Sequence, residues 1–300
     1  MHIPENLLNG TICPVTAGIS IAGVGIATYF SIKSREKPDT LKFGIVTALI
    51  FLLQMLNFPI SGGTSGHFLG TSFAVFTLGI PFGIISMSII LTIQALVFSD
   101  GGLTVLGANI LNMALIGALP SALMYKYTAS ENRLKRSLFT ISSSWLSVVI
   151  ASVSCSFLLS LVYPTNARGI FYSMIITHSI IGIIEAIITL LATPVLNLIY
   201  KRKNSNFSKI TSISSIFVIL LLLTPFASKL PDGLEWVVER YKLFKESEPL
   251  FVGPLSDYTL PVIQNDYLST IISGIAGITL ILLIVYGVKL LLRSVKIKKV

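Results

Sequence analysis

The chain has 300 residues, of which 53% are hydrophobic and only 12% charged, about half the ~25% charged fraction of a soluble domain. A mean hydropathy of +0.84 excludes an ordinary soluble enzyme and places the protein in a lipid bilayer. The net charge of +9 does not indicate a nucleic-acid partner, because the basic residues fall in short clusters between apolar runs, as topology determinants do.

The extreme N-terminus carries the first chemistry. Met1 is expected to stay on the chain, since His2 is too large to favour its removal, and any formyl group would have to come off. A free Met1 amine, the His2 backbone nitrogen and the His2 Nδ1 can close two fused rings around one metal ion. One further imidazole completes a square of nitrogens, which suits Ni(II) or Cu(II) and does not suit tetrahedral Zn(II). The plain alternative is that His2 merely follows the start.

A helix needs roughly 20 apolar residues to cross a ~30 Å hydrocarbon core. Apolar runs at about 12–32, 43–57, 68–80, 82–98, 103–125, 137–163, 170–200, 210–227 and 268–292 predict an all-α polytopic protein of about nine transmembrane helices. The third run is short and abuts Pro81, which points to a broken or tilted helix pair with the fourth. Lys33, Arg35, Lys37 and Lys42 follow the first run. Lys126, Arg133, Lys135 and Arg136 follow the fifth, and Lys201, Arg202, Lys203 and Lys209 the seventh. Lys289, Arg293, Lys296, Lys298 and Lys299 close the chain, so the four clusters hold 17 of the 22 basic residues. Nine spans with an external N-terminus put every cluster on the cytoplasmic side of the plasma membrane, the C-terminus included. The positive charges follow the first apolar run, an order that speaks against a signal peptide. Cys13 and Cys155 both lie in apolar stretches and read as small buried hydrophobes.

The organisation read from these runs is a seven-helix membrane domain over residues 1–200, a basic cytoplasmic linker over 201–209, and a two-helix hairpin over 210–300. The hairpin encloses an external loop of about 40 residues, Ser228 to Tyr267, in which no helical period is evident. A loop of that length is usually functional or disordered.

Between the second and third runs stands Asn57-Phe58-Pro59-Ile60-Ser61-Gly62-Gly63-Thr64-Ser65-Gly66-His67. Irregular backbone at membrane depth needs protein or a cavity around it. This turn can therefore receive an inserted N-terminal segment and supply His67 as the fourth nitrogen; read alone it is a flexible loop with one histidine. A metal-bound imidazole needs a partner on its other nitrogen, and Thr64, Ser65, Asn109 and Asn112 are the candidates. Asn109 and Asn112, three apart, would share one helix face; contacts between helices are the competing reading. His178 and Glu185 lie close to one face of the seventh run. An intramembrane carboxylate is a functional hypothesis by default, a structural contact being the equal alternative, and neither residue is needed as a ligand once Met1, His2 and His67 fill the square. Neither a phosphate-binding G-x-x-x-x-G-K-[ST] nor H-E-x-x-H nor a nucleophile elbow occurs, so the chain has no ATPase and no catalytic residues of its own.

MHIP at the N-terminus, NFPxxGGTSGH, QxLxFxDGG, LGANxLNM and HxxIGxxEAxIT, in this order, resemble the CbiM/NikM family, the metal-capture subunits of cobalt and nickel energy-coupling factor transporters. Pro231-Asp232-Gly233-Leu234-Glu235 is similar to the PDGLE signature of the small accessory subunit, so the chain looks like a fusion of the two. The resemblance implies a seven-helix capture domain whose N-terminal segment tucks inward and the same Met1, His2 and His67 square. It also implies transported Ni(II) or Co(II) as substrate, no cofactor, and partners in a membrane coupling subunit and a pair of ABC-type ATPases. Loading of the metal is the role expected for the accessory segment. Positions 5 and 6 read Glu-Asn where the family usually reads Asp-Gly, which makes the inner turn the point to check. Nickel leads; a cobalt version feeding cobalamin synthesis is the runner-up. A membrane metalloenzyme would need an open coordination position and a general base, and a passive channel would transport without ATP.

Overall fold

The computed structural model describes residues 1–128, 130–201, 206–243 and 249–297. Of the basic clusters, Arg202, Lys203, Lys298 and Lys299 lie outside the described residues, and with Arg202 and Lys203 the centre of the expected linker. Helices dominate: α1 Ile12–Lys33, α2 Thr40–Gln54, α3 Thr71–Leu78, α4 Ile80–Ile93, α5 Leu106–Asn109, α6 Ala118–Thr128, α7 Arg133–Val162, α8 Ala167–Lys201, α9 Asn206–Leu223, α10 Gly233–Arg240 and α11 Asp266–Ile297. A short antiparallel hairpin, β1 Phe58–Ile60 and β2 Thr64–Gly66, pairs Pro59 with Ser65. The apolar pattern did not foretell it.

Sequence chemistry sets the helix starts. Asp39 accepts the Lys42 N–H at 2.8 Å to cap α2, Asn132 does the same for α7 through Lys135 at 3.1 Å, and Asn265 accepts from Leu268 at 3.1 Å before α11; each satisfies a backbone donor that the first turn leaves orphaned. Pro81 opens α4, where its missing N–H costs nothing.

Six helices among the described residues are long and apolar enough to cross a membrane, and two shorter apolar ones, Thr40–Gln54 and Ile210–Phe226, accompany them. The third expected span differs. α3 has eight residues and is about 12 Å long at 1.5 Å per residue, too short to cross. The hairpin and residues 67–70 descend into the bundle before it and supply the rest of that passage. Their irregular backbone is enclosed by protein: Thr64, Ser65, Gly66, His67 and Phe68 are all buried.

Two π-helical turns interrupt the bundle. α4 runs into Gln94–Phe98 and α5 into Ile110–Ile116. α11 packs onto α2, with Gly44 facing Leu282 and Val285, and Gly277 facing Phe51. Residues 1–11 and the loops around 57–67, 99–105, 163–166, 228–243 and 249–258 gather at one end of the bundle. Tyr163 Oη donates to Leu7 O at 3.2 Å, Ser228 N to Asn57 O at 2.8 Å and Leu255 N to Val97 O at 2.9 Å. At the opposite end the Lys42 ammonium lies 5.7 Å from the Tyr200 ring.

Candidate metal centre

The N-terminal segment is drawn into the gathered end. Met1, Ile3, Leu7 and Leu8 are buried together with His2, so the segment plugs the bundle as an apolar strand. Its backbone is held at Ile3. Asn109 Oδ1 accepts the Ile3 N–H at 2.8 Å, Asn109 Nδ2 donates to Ile3 O at 3.2 Å, and Gly102 N donates to the same carbonyl at 2.9 Å. A Cβ at Gly102 would stand 2.6 Å from the backbone of Glu5, so only glycine lets the 99–105 loop come this close. Glu5 accepts from Leu103 N at 2.6 Å and Asn6 takes a φ of 67°. The left-handed turn that a glycine would make is thus made by asparagine, the residue besides glycine that tolerates it best.

This placement brings the sequence-predicted donors together. The Met1 amine stands 2.7 Å from His67 Nε2, and the His2 and His67 rings stack at 5.1 Å. His67 Nδ1 lies 3.1 Å from Phe68 O, which fixes the proton on Nδ1 and leaves Nε2 as the lone pair turned to the amine. His2 presents Nε2 to Gln94 Oε1 and Nδ1 to Asp100 Oδ1, each at 3.1 Å. Gln94 is itself oriented, donating to Gln54 Oε1 at 2.9 Å and to Tyr258 Oη at 3.2 Å. Both neighbours are acceptors, so Gln94 Oε1 can keep the Nε2 proton only when Nδ1, the atom a chelate needs, is turned from Asp100 to a metal. Burial pulls the His2 imidazole down to about 4, against the pull of Asp100, so the ring is neutral near pH 7, as a metal ligand must be.

Asn109, expected to serve an imidazole, holds the Ile3 backbone instead, and the other expected partners also go elsewhere. Thr64 and Ser65 reach no histidine; they hold the 228–232 stretch. Thr64 Oγ1 donates to Pro231 O at 3.0 Å, Ser65 Oγ to Leu230 O at 2.8 Å, and Ser65 N to Pro231 O at 2.8 Å. Asn112 faces α7, accepting from Ser154 Oγ at 2.6 Å. Glu185 accepts Leu69 N at 2.8 Å and Gly70 N at 2.9 Å, so its role is to pin the chain directly after His67, while Gln54 Nε2 donates to Leu69 O at 2.7 Å.

Sequence reasoning missed Asp232. The Thr64 and Ser65 bonds bring its Oδ2 to 2.6 Å from the Met1 amine and 3.6 Å from His67 Nε2. Its Oδ1 caps α10, accepting from Leu234 N and Glu235 N at 2.7 and 2.8 Å, and Glu235 returns the bond to Asp232 N at 2.9 Å. The external loop therefore contains a two-turn helix opened by a capping box. Burial works against the Asp232 charge, and the Met1 ammonium overcomes it, holding the carboxyl well below the usual carboxylate range. Among the described residues no three His, Cys, Asp or Glu side chains stand close enough to hold a metal unaided. The amine is what makes a donor cluster of this place.

Residues 2–204 match the family model described as the cobalt uptake substrate-specific transmembrane region, CbiM. The chain belongs to the CbiM family. Residues 208–294 match the PDGLE domain. The putative fused nickel transport protein NikMN of Archaeoglobus fulgidus is 33% identical over 94% of this chain and 96% of its own length. The cobalt transport protein CbiM of Thermosipho melanesiensis is 30% identical over 70% of this chain and 91% of its own. A crystal structure described as that of a transition metal transporter matches 68% of this chain and 95% of the solved chain, at 30% identity and a TM-score of 0.59. This CbiM chain is a multi-pass membrane protein and a transport component, not an enzyme.

Proposed function

We propose that the chain is the substrate-capture subunit of an ATP-driven energy-coupling factor importer for Ni(II), with Co(II) as the alternative cargo. The Met1 amine, the His2 backbone nitrogen, His2 Nδ1 and His67 Nε2 form a square of four nitrogens. The observation that carries this reading is the buried Met1 amine 2.7 Å from His67 Nε2. Two nitrogen donors at that separation, one of them an amine that Asp232 holds inside the bundle, are what a metal ion between them would exploit. Asn109 acts on the backbone of the chelating segment, and Gln94 on the His2 tautomer. Thr64 and Ser65 serve the site indirectly, by positioning the PDGLE segment; Asn112 supports α7. The chain presents the site outside and its basic clusters in the cytoplasm, and a coupling subunit with a pair of ABC-type ATPases supplies the energy. Square nitrogen coordination favours nickel.

The test is metal content and visible absorption of the purified chain, its N-terminus verified by intact mass, offered Ni(II) and Co(II) in competition. One nickel per chain with a square-planar d–d band is expected. His67→Ala and a variant with one residue added before Met1 should both lose it. Equal binding by the extended variant would remove Met1 and His2 from the ligand set, and nanomolar binding by His67→Ala would remove His67.

A further inference from the structure

The square makes no use of the imidazole of His178, which is buried beside it. His178 of α8 is 2% exposed. Its Nδ1 lies 2.9 Å from Met174 O, which places the proton there and a lone pair on Nε2. Nε2 is buried without a hydrogen-bond partner among the described residues, although buried polar atoms are ordinarily satisfied. His178 lines a cavity between α7 and α8 whose other walls include Met1, His67, Asp232, Gly233 and Val148. The residue after Asp232 is glycine, and a Cβ there would stand 3.0 Å from His178 Cε1 and 2.9 Å from Thr177 Cγ2. Only glycine, then, lets the carboxylate and the imidazole share this space. An amine, two imidazoles and one carboxylate thus line one cavity, without three of the side chains yet standing at ligating distance of a single point. None of these four donors belongs to His2, whose ring is held on the far side of the stacked pair by Asp100 and Gln94.

We infer that this cavity is a loading position for the divalent transition metal, in which the Met1 amine, His67 Nε2, Asp232 Oδ2 and His178 Nε2 hold the ion before the square forms. The inference rests on the ligand assignment proposed above and adds a step ahead of it. Three nitrogens and an oxygen with no planar constraint suit the exchange-labile, non-planar coordination of an arriving ion. Asp232 supplies negative charge to the arriving ion before the His2 backbone nitrogen has lost its proton, and the ammonium proton leaves as the ion binds. Transfer then needs the His2 ring to turn Nδ1 from Asp100 to the metal and the His2 backbone N–H to give its proton to the Asp232 carboxylate as it is released, while His178 lets go.

Stopped-flow absorption of the full chain mixed with Co(II) tests the step. The wild type is expected to show a transient d–d spectrum of non-planar Co(II) before the final one. His178→Asn keeps an amide N–H for Met174 O and removes the second nitrogen. It is expected to lose the transient and to reach its end point at least about tenfold more slowly, the scale on which partners of a metal site act. The same transient at the same rate in this variant overturns the inference. So does a folded variant that takes up no ion at all, since His178 would then belong to the final site. Should His178→Asn fail to fold, Gly233→Ala puts a methyl group into the same cavity and is expected to abolish the transient. A wild-type chain that binds no metal ends the underlying assignment, whereas normal uptake with unchanged kinetics in both variants ends this one alone.

Discussion

Asn109 shows how much one side chain can settle. It grips both the N–H and the carbonyl of Ile3, so the chelating backbone is positioned by a residue that touches no metal. Asn109→Ala is expected to lower metal affinity by about 10- to 100-fold, measured by competition titration; an unchanged affinity would show that the apolar plug alone places Met1 and His2. His2 sets a pH dependence. Its folded value of about 4 lies below the ordinary 6.5. Between those values the unfolded chain binds a proton that the folded chain refuses, so stability falls as pH drops through 6.5 towards 4. Asp232 works in the same direction only in stronger acid, because its carboxyl is held below the usual range. The unfolding midpoint of the metal-free chain should therefore fall on acidification from about pH 7 to 5, and His2→Gln should flatten that slope. The sequence offered Met1, His2 and His67 as nitrogen donors by residue type and put them at one external face, and it offered Asn109 as a partner for an imidazole, whereas the side chain grips the Ile3 backbone. Asn112 misled for a physical reason. Residues three apart share a face in an α-helix, but the backbone turns π-helical from Ile110, and the wider turn carries Asn112 round to Ser154.

Among the elements, the two π-helical turns and the shortened α3 all border the site, and each bends a regular helix to meet the inserted N-terminus. π turns are rare and collect at functional places; here one ends the helix that presents Gln94 and the other begins directly after Asn109. The helix inside the external loop escaped notice because α10 has eight residues, two turns, against the 11–18 over which a helical period can be read. Its Asp232 and Glu235 nevertheless stand at capping-box spacing, a start signal that could have been used. Glu235→Ala should cost about 0.5–2 kcal/mol of stability, seen as a lower unfolding midpoint. Glu185 serves a helix start in the same way. Glu185→Gln should leave one metal per chain, yet destabilise the fold by about 1–3 kcal/mol, because one of the buried N–H groups at Leu69 and Gly70 loses its acceptor. Loss of the metal with the fold intact would contradict this.

For the whole molecule, the charge clusters and the gathered loops make one statement. The four loops gathered around Met1 carry none of the four basic clusters, and Lys42, of the first cluster, marks the other end. A cysteine placed at the exposed Thr165, in a Cys13→Ser background, should react with an impermeant thiol reagent in intact cells. One placed at the exposed Glu131 should react only after permeabilisation. The reverse pattern would invert the orientation. Length and charge made this architecture legible; the meeting of two distant regions at Asp232 was not, because no periodicity links residue 65 to residue 231.

That meeting has a consequence for assembly. The CbiM and PDGLE regions, matched by separate family models, touch through Thr64, Ser65, Pro231 and Asp232. Because one polypeptide carries both, their encounter is unimolecular, with an effective concentration on the order of millimolar for a short tether. Dilution of the protein in the bilayer cannot separate the carboxylate from the amine, the two regions are present in equal number at any expression level, and neither can be displaced by a surplus of the other.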